Sequence, residues 1–95
     1  MEPGTYKLLA YDYVADILER RDPHRPGHLA AIESAVADGR MVAAGAVGTP
    51  PSGGLLVFAD VDDAVIEEYA TADPYVTAGL VTAWRIDPWT VVAAR

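Results

Sequence analysis

The sequence predicts an α+β fold. Four strands and two helices follow the order β-α-β-β-α-β and form one antiparallel sheet with both helices on one face. Three observations support this. Apolar residues make up 52% of the 95-residue chain, enough for a packed core in one domain spanning residues 1–95. Short apolar runs recur between turn-forming clusters, at strand length rather than helix length. Two segments carry helix start and stop signals, and each lies between strands.

The elements follow in order. "YKLLAYDYV" (6–14) is aromatic and aliphatic, as a strand should be. "ADILERR" (15–21) starts a helical turn that Asp22-Pro23 breaks or redirects. The first long helix runs from Pro23 or Pro26 to Asp38, with Asp22 as its cap and Gly39 as its stop. "RMVAAGAV" (40–47) is the second strand and "GTPPSGG" (48–54) a loop. "LLVFA" (55–59) is the third, well-buried strand. "DVDDAVIEEYATA" (60–72) is an acid-started helix with Val61, Val65 and Tyr69 as its apolar stripe. "ADPYVTAG" (72–79) is a turn, and "LVTAWRID" (80–87) the last strand, ended by Pro88.

This order is the ferredoxin-like split βαβ pattern. Its two helices cover one side of the sheet only. Leu8 and Leu9 are adjacent, and Leu55 to Phe58 are all apolar, so both sides of the sheet carry apolar side chains. The uncovered face is too apolar to stay wet. A homodimer packed sheet to sheet is the expected solution. The C-terminal "TVVAAR" folded over that face is the alternative.

Composition removes several function classes. Seven basic and 14 acidic side chains give a net charge of -7, which disfavours a nucleic-acid or anionic-membrane partner. With no cysteine there are no disulfides, thiolate metal sites or Cys nucleophile. No leader-like N-terminus or membrane-length apolar run occurs, so a soluble cytoplasmic protein is expected.

The residues with chemical potential are few. His24 and His28 have the i, i+4 spacing of a helical metal pair, but Pro26 lies between them and no third ligand is near in sequence. No metal is therefore expected. At about 100° per residue, Arg25, Leu29, Ile32, Ala35 and Val36 share one side of the helix, with His28 at its edge. A histidine there either packs and hydrogen-bonds, or faces a cleft as a general acid or base. Asp73, in the tight "ADPYVTAG" turn, either bonds backbone N–H groups or orients the histidine. Asp60, Asp62, Asp63, Glu67 and Glu68 read as capping and solvated residues.

"RPGHLAAIESAVADGRMVAAG" together with "DPYVTAGLVTAWRIDPW" resembles the YciI-like (YCII-related) family over roughly residues 5 to 92. The resemblance implies a dimeric α+β barrel, a ferredoxin-like unit paired sheet to sheet. It places a His–Asp acid/base dyad on His28 and Asp73, and the motif arginine on Arg25. It assigns nothing to His24. The chain reads Gly45-Ala46 where the family usually has Gly-Pro.

Taken with the resemblance, these residues give two functions to weigh, ahead of a cofactor-free or haem-linked oxygenase for which no dedicated haem-ligand pattern is present. One is a cofactor-free enzyme performing isomerisation or elimination, of the dehydrochlorinase kind, on a small cyclic or enolisable molecule. His28 would move the proton, Asp73 orient it, Arg25 hold an anionic or phenolic oxygen, and Tyr75 line the pocket. The other is a non-catalytic dimeric module that binds a small ligand or assists a larger enzyme.

Overall fold

The computed structural model describes residues 1–95. Strand β1 (Gly4–Tyr13) is central, and the sheet order is β2-β3-β1-β4, with β2 at Met41–Val47, β3 at Gly53–Phe58 and β4 at Val81–Val91. Every neighbouring pair is antiparallel. The expected βαββαβ order is present, with two extra single turns of helix. These are α1 (Ile17–Arg20) and α4 (Pro74–Thr77); the long helices are α2 (Arg25–Ala37) and α3 (Asp63–Ala72).

The register decides which residues meet the helices. Leu9 pairs with Leu56 and Ile86, and Tyr11 pairs with Gly54 and Trp84. Side chains alternate along each strand, so Leu9, Tyr11, Leu56 and Phe58 share one face. There they pack with Met41, with Ala35 of α2 and with Ile66, Tyr69 and Ala70 of α3 in a single core cluster. Phe58 and Tyr69 meet edge to face, centroids 5.4 Å apart, a favoured aromatic geometry. A smaller cluster of Ile17, Tyr75 and Leu80 ties α1 and α4 to the start of β4.

Leu8, Leu55 and Val57 fall on the opposite face, as the adjacent apolar pairs predict. Tyr6 and Trp89, beside each other at 6.4 Å, extend it. The tail does not cover it. Thr90 and Val91 continue β4 alongside β1, and Val92 beyond them is 87% exposed.

Four expectations need correction. Pro88 does not end the last strand; it pairs with Lys7 inside β4. β4 is an edge strand, where a missing N–H removes no ladder bond on the free side. Asp22 does not cap α2; the cap position is His24, without a side-chain bond. The 72–79 turn contains the helical turn α4. The α2 stripe is also shifted: His28 and Ala35 are buried, whereas Leu29 and Val36 are 39% and 45% exposed. Gly39, at φ +87°, suits the helix stop expected of it.

Candidate active site

Asp73 is the hinge of the site. It ends α3 and caps α4, in an extended conformation that turns the chain between them. Its side chain is pulled inward, and the residue is 1% exposed. Oδ1 accepts from the Tyr75 backbone N–H at 2.9 Å. Oδ2 accepts from the Tyr11 hydroxyl, also at 2.9 Å. The third partner is His28 Nδ1, 2.9 Å from Oδ1 and 3.0 Å from Oδ2. A buried carboxylate must be paired and hydrogen-bonded to be tolerated, and no Lys or Arg pairs with Asp73. Its two possible sequence roles are therefore combined: it bonds backbone and it faces the histidine.

His28 reaches Asp73 because α2 and α4 approach closely. The bare backbone of Gly27 lies against Pro74, leaving no room for a larger residue without adjustment. His28 is 6% exposed. Its ring is stacked on Tyr75, with centroids 3.7 Å apart and planes 2° from parallel. The carboxylate accepts, so Nδ1 carries the hydrogen, and Nε2 of the neutral ring is left as an acceptor. Nε2 has no protein partner and is not sealed in the core; His28 lines a cavity of about 230 Å³.

That cavity lies between the start of α2 and β2. Leu29, Ile32 and Leu56 supply apolar wall, Ala44–Ala46 of β2 the far side, and Tyr13 and Tyr75 two phenols. Arg21 and Arg25 line it with His28. The spacing has a simple cause. The chain is already turning helically at Arg21, whose carbonyl accepts from the Arg25 N–H, and the His24 carbonyl accepts from the His28 N–H. Arg21, Arg25, His28, Leu29 and Ile32 are therefore at i, i+4, i+7, i+8 and i+11, one helical face. The stripe expected over Arg25, Leu29 and Ile32 exists and lines a cavity, with Ile32 also packed against the core.

Burial keeps the phenols protonated. It pushes Tyr11 far up, aided by the negative charge of Asp73 and by the hydrogen bond to it. It pushes Tyr13 up to about 12. Tyr75 is also raised by burial, with the Arg21 and Arg25 guanidiniums beside it pulling the other way.

The structure thus brings together His28, Asp73, Arg25 and Tyr75. His24 does not line the cavity. Two participants escaped the sequence reading. Tyr11 was visible only through strand alternation, since it follows Leu9 by two on the core face. Arg21 lies in "ADILERR", which the sequence offered only as the start of a helical turn.

A match to the YCII-related domain covers residues 5–90, and the chain belongs to that family. Among solved structures, it resembles 5-chloro-2-hydroxyhydroquinone dehydrochlorinase from Burkholderia phenoliruptrix, in a complex with 2,5-dihydroxybenzoquinone. The TM-score is 0.75 at 19% identity, over 90% of this chain and 93% of that one, so the shared property is the fold. No curated protein matches the sequence.

Proposed function

We propose that this chain is a small-molecule acid/base enzyme that works through His28 and Asp73 without a cofactor. The observation that carries the reading is the His28 ring. Its Nδ1 is tied to a buried carboxylate and its Nε2 opens to a cavity. His28 Nε2 takes a proton from an enolisable carbon or hydroxyl of a small cyclic substrate. Asp73 holds the ring orientation and stabilises the imidazolium that forms. Arg25 faces the oxygen on which negative charge develops, and Tyr75 fixes the plane of the imidazole. Return of the proton to another carbon gives isomerisation. In an elimination, the electron pair left behind expels an anionic leaving group such as chloride. The dehydrochlorinase activity of the structural neighbour supports the second outcome as the one to assay first.

The reading extends to one YciI-like domain over residues 1–95, acting in the cytoplasm as a homodimer. The uncovered apolar sheet face supports the dimer, and the acidic, cysteine-free composition fits the location. No helix is long and apolar enough to cross a membrane.

The test is chloride release and isomer formation from chlorinated hydroxyhydroquinones and related enolisable ring compounds. Positioned proton transfer contributes about 10²–10⁴-fold, so His28→Ala should lose that much in kcat. An unchanged rate, or ligand binding with no turnover in the wild type, overturns the proposal in favour of a binding module.

A further inference from the structure

The cavity beside His28 holds a pair of cations to which the protein offers no carboxylate partner. The chain has seven basic side chains against 14 acidic ones. Lys7, Arg20, Arg40 and Arg85 each pair with a carboxylate. Arg21 and Arg25 do not, and both line this cavity. No Asp or Glu side chain lines it with them. Moreover, Nε of Arg21 is buried without any hydrogen-bond partner. A buried unpaired N–H on a charged group is costly, and like charges at i, i+4 repel. Nearby Tyr75, kept protonated by burial, supplies no countercharge at neutral pH.

We propose that Arg21 and Arg25 together form an oxyanion clamp, and that the ligand of this cavity is a small ring or enol bearing a carboxylate. Guanidinium forks match the two oxygens of a carboxylate. At about 230 Å³ the cavity is smaller than the roughly 300–1,000 Å³ of drug-sized sites, and its Leu29, Ile32 and Leu56 wall suits a compact apolar body. The carboxylate sits against the two arginines, which places the ring of the ligand toward His28, one helical turn further along the same face. This deepens the acid/base reading and rests on it for the identity of the site. The clamp itself is a binding claim and is tested by binding.

The probes are benzoate and its neutral isostere benzamide, titrated calorimetrically against the full chain. Variants are Arg21→Gln, Arg21→Lys and His28→Asn, each checked for folding by circular dichroism. A hydrogen bond to a charged group contributes about 1.5–3 kcal/mol, or roughly 10–150-fold. Wild type should bind benzoate at least tenfold more tightly than benzamide. Arg21→Gln should lose that preference and leave benzamide binding unchanged. Arg21→Lys, which keeps the charge without the fork, should fall between. His28→Asn should still bind benzoate, so a failure of the acid/base reading leaves the clamp standing. Equal binding of acid and amide by wild type, no benzoate binding at all, or an undiminished preference in Arg21→Gln overturns the clamp, whatever the fate of catalysis.

Discussion

Replacing Tyr11 with phenylalanine removes one oxygen atom from the core and isolates one contact. The hydroxyl lies 2.9 Å from Asp73 Oδ2 and donates to it. Tyr11 and Asp73 are both almost fully buried, so no water readily takes the donor's place. A hydrogen bond to an ionised group contributes about 1.5–3 kcal/mol. Tyr11→Phe should therefore lower unfolding stability at pH 7 by about that amount. For a domain of this size each kcal/mol moves Tm by roughly 4–8 °C, which gives a drop of about 6–24 °C. The pH dependence is an internal control. The folded state holds the Tyr11 phenol protonated well above its ordinary value of 10, through burial first and Asp73 second. Such a raised group contributes stability that is fully present below pH 10 and lost as pH rises toward its folded value. The variant's phenyl ring cannot ionise, so the gap between wild type and variant should be constant from pH 7 to 9 and shrink above pH 10. Urea unfolding followed by circular dichroism at pH 7, 9 and 10.5 reads both effects. A difference below about 0.5 kcal/mol at pH 7 would refute the assignment of this hydroxyl to the carboxylate, and one that fails to narrow above pH 10 would refute the phenol's being held protonated, chiefly by burial.

Other perturbations separate position from charge. Asp73→Asn should fold, because its carbonyl can accept from Tyr75 and His28 while the Tyr11 hydroxyl turns to accept from its amide; kcat should still fall, by up to roughly 10⁴-fold, since the charge facing the imidazolium is gone. Asp73→Ala should instead unfold readily in urea, leaving two buried donors and a histidine without a partner. Gly53→Ala should lower stability by about 1–3 kcal/mol in urea titration, because the added Cβ would overlap the Tyr11 carbonyl oxygen across the β1–β3 ladder. Leu55→Lys, on the uncovered sheet face, should shift the sedimentation coefficient from dimer to monomer while the circular dichroism spectrum stays unchanged; an unaltered coefficient would sink the sheet-to-sheet dimer.

How far the sequence could be read depended on the physics behind each signal. Element order was readable from apolar runs between turn-forming clusters, and two-sidedness because alternation is local: Leu8 beside Leu9 forces one apolar side chain to each face whatever the partner strand. Pro88 misled for a reason invisible locally. A proline breaks a central strand but not an edge, and β4 is an edge only because β1 pairs with β3 on its other side. The α2 stripe failed similarly. Ala35 reaches the core and Ile32 packs beside it, while Leu29 of the same expected stripe stays 39% exposed at the cavity. Periodicity gives the angular position of a side chain and says nothing about what stands opposite.

The same limit explains why the site was only half read. His28 and Asp73 were singled out by helical phase and turn context and joined as a pair by motif resemblance, and the 45-residue separation between them is closed by the α2–α4 contact at Gly27 and Pro74. Tyr11 joins from a third element, 62 residues away from Asp73. One carboxylate therefore couples the first strand, the first long helix and the α3–α4 corner. Donors from those three segments together satisfy its two oxygens. The carboxylate that would serve the imidazole in catalysis is thus also a core fixture. Losses of activity at Asp73→Ala will then be confounded by unfolding, whereas Asp73→Asn and Tyr11→Phe divide the two roles: the first removes charge and keeps acceptors, the second removes a donor and keeps the charge.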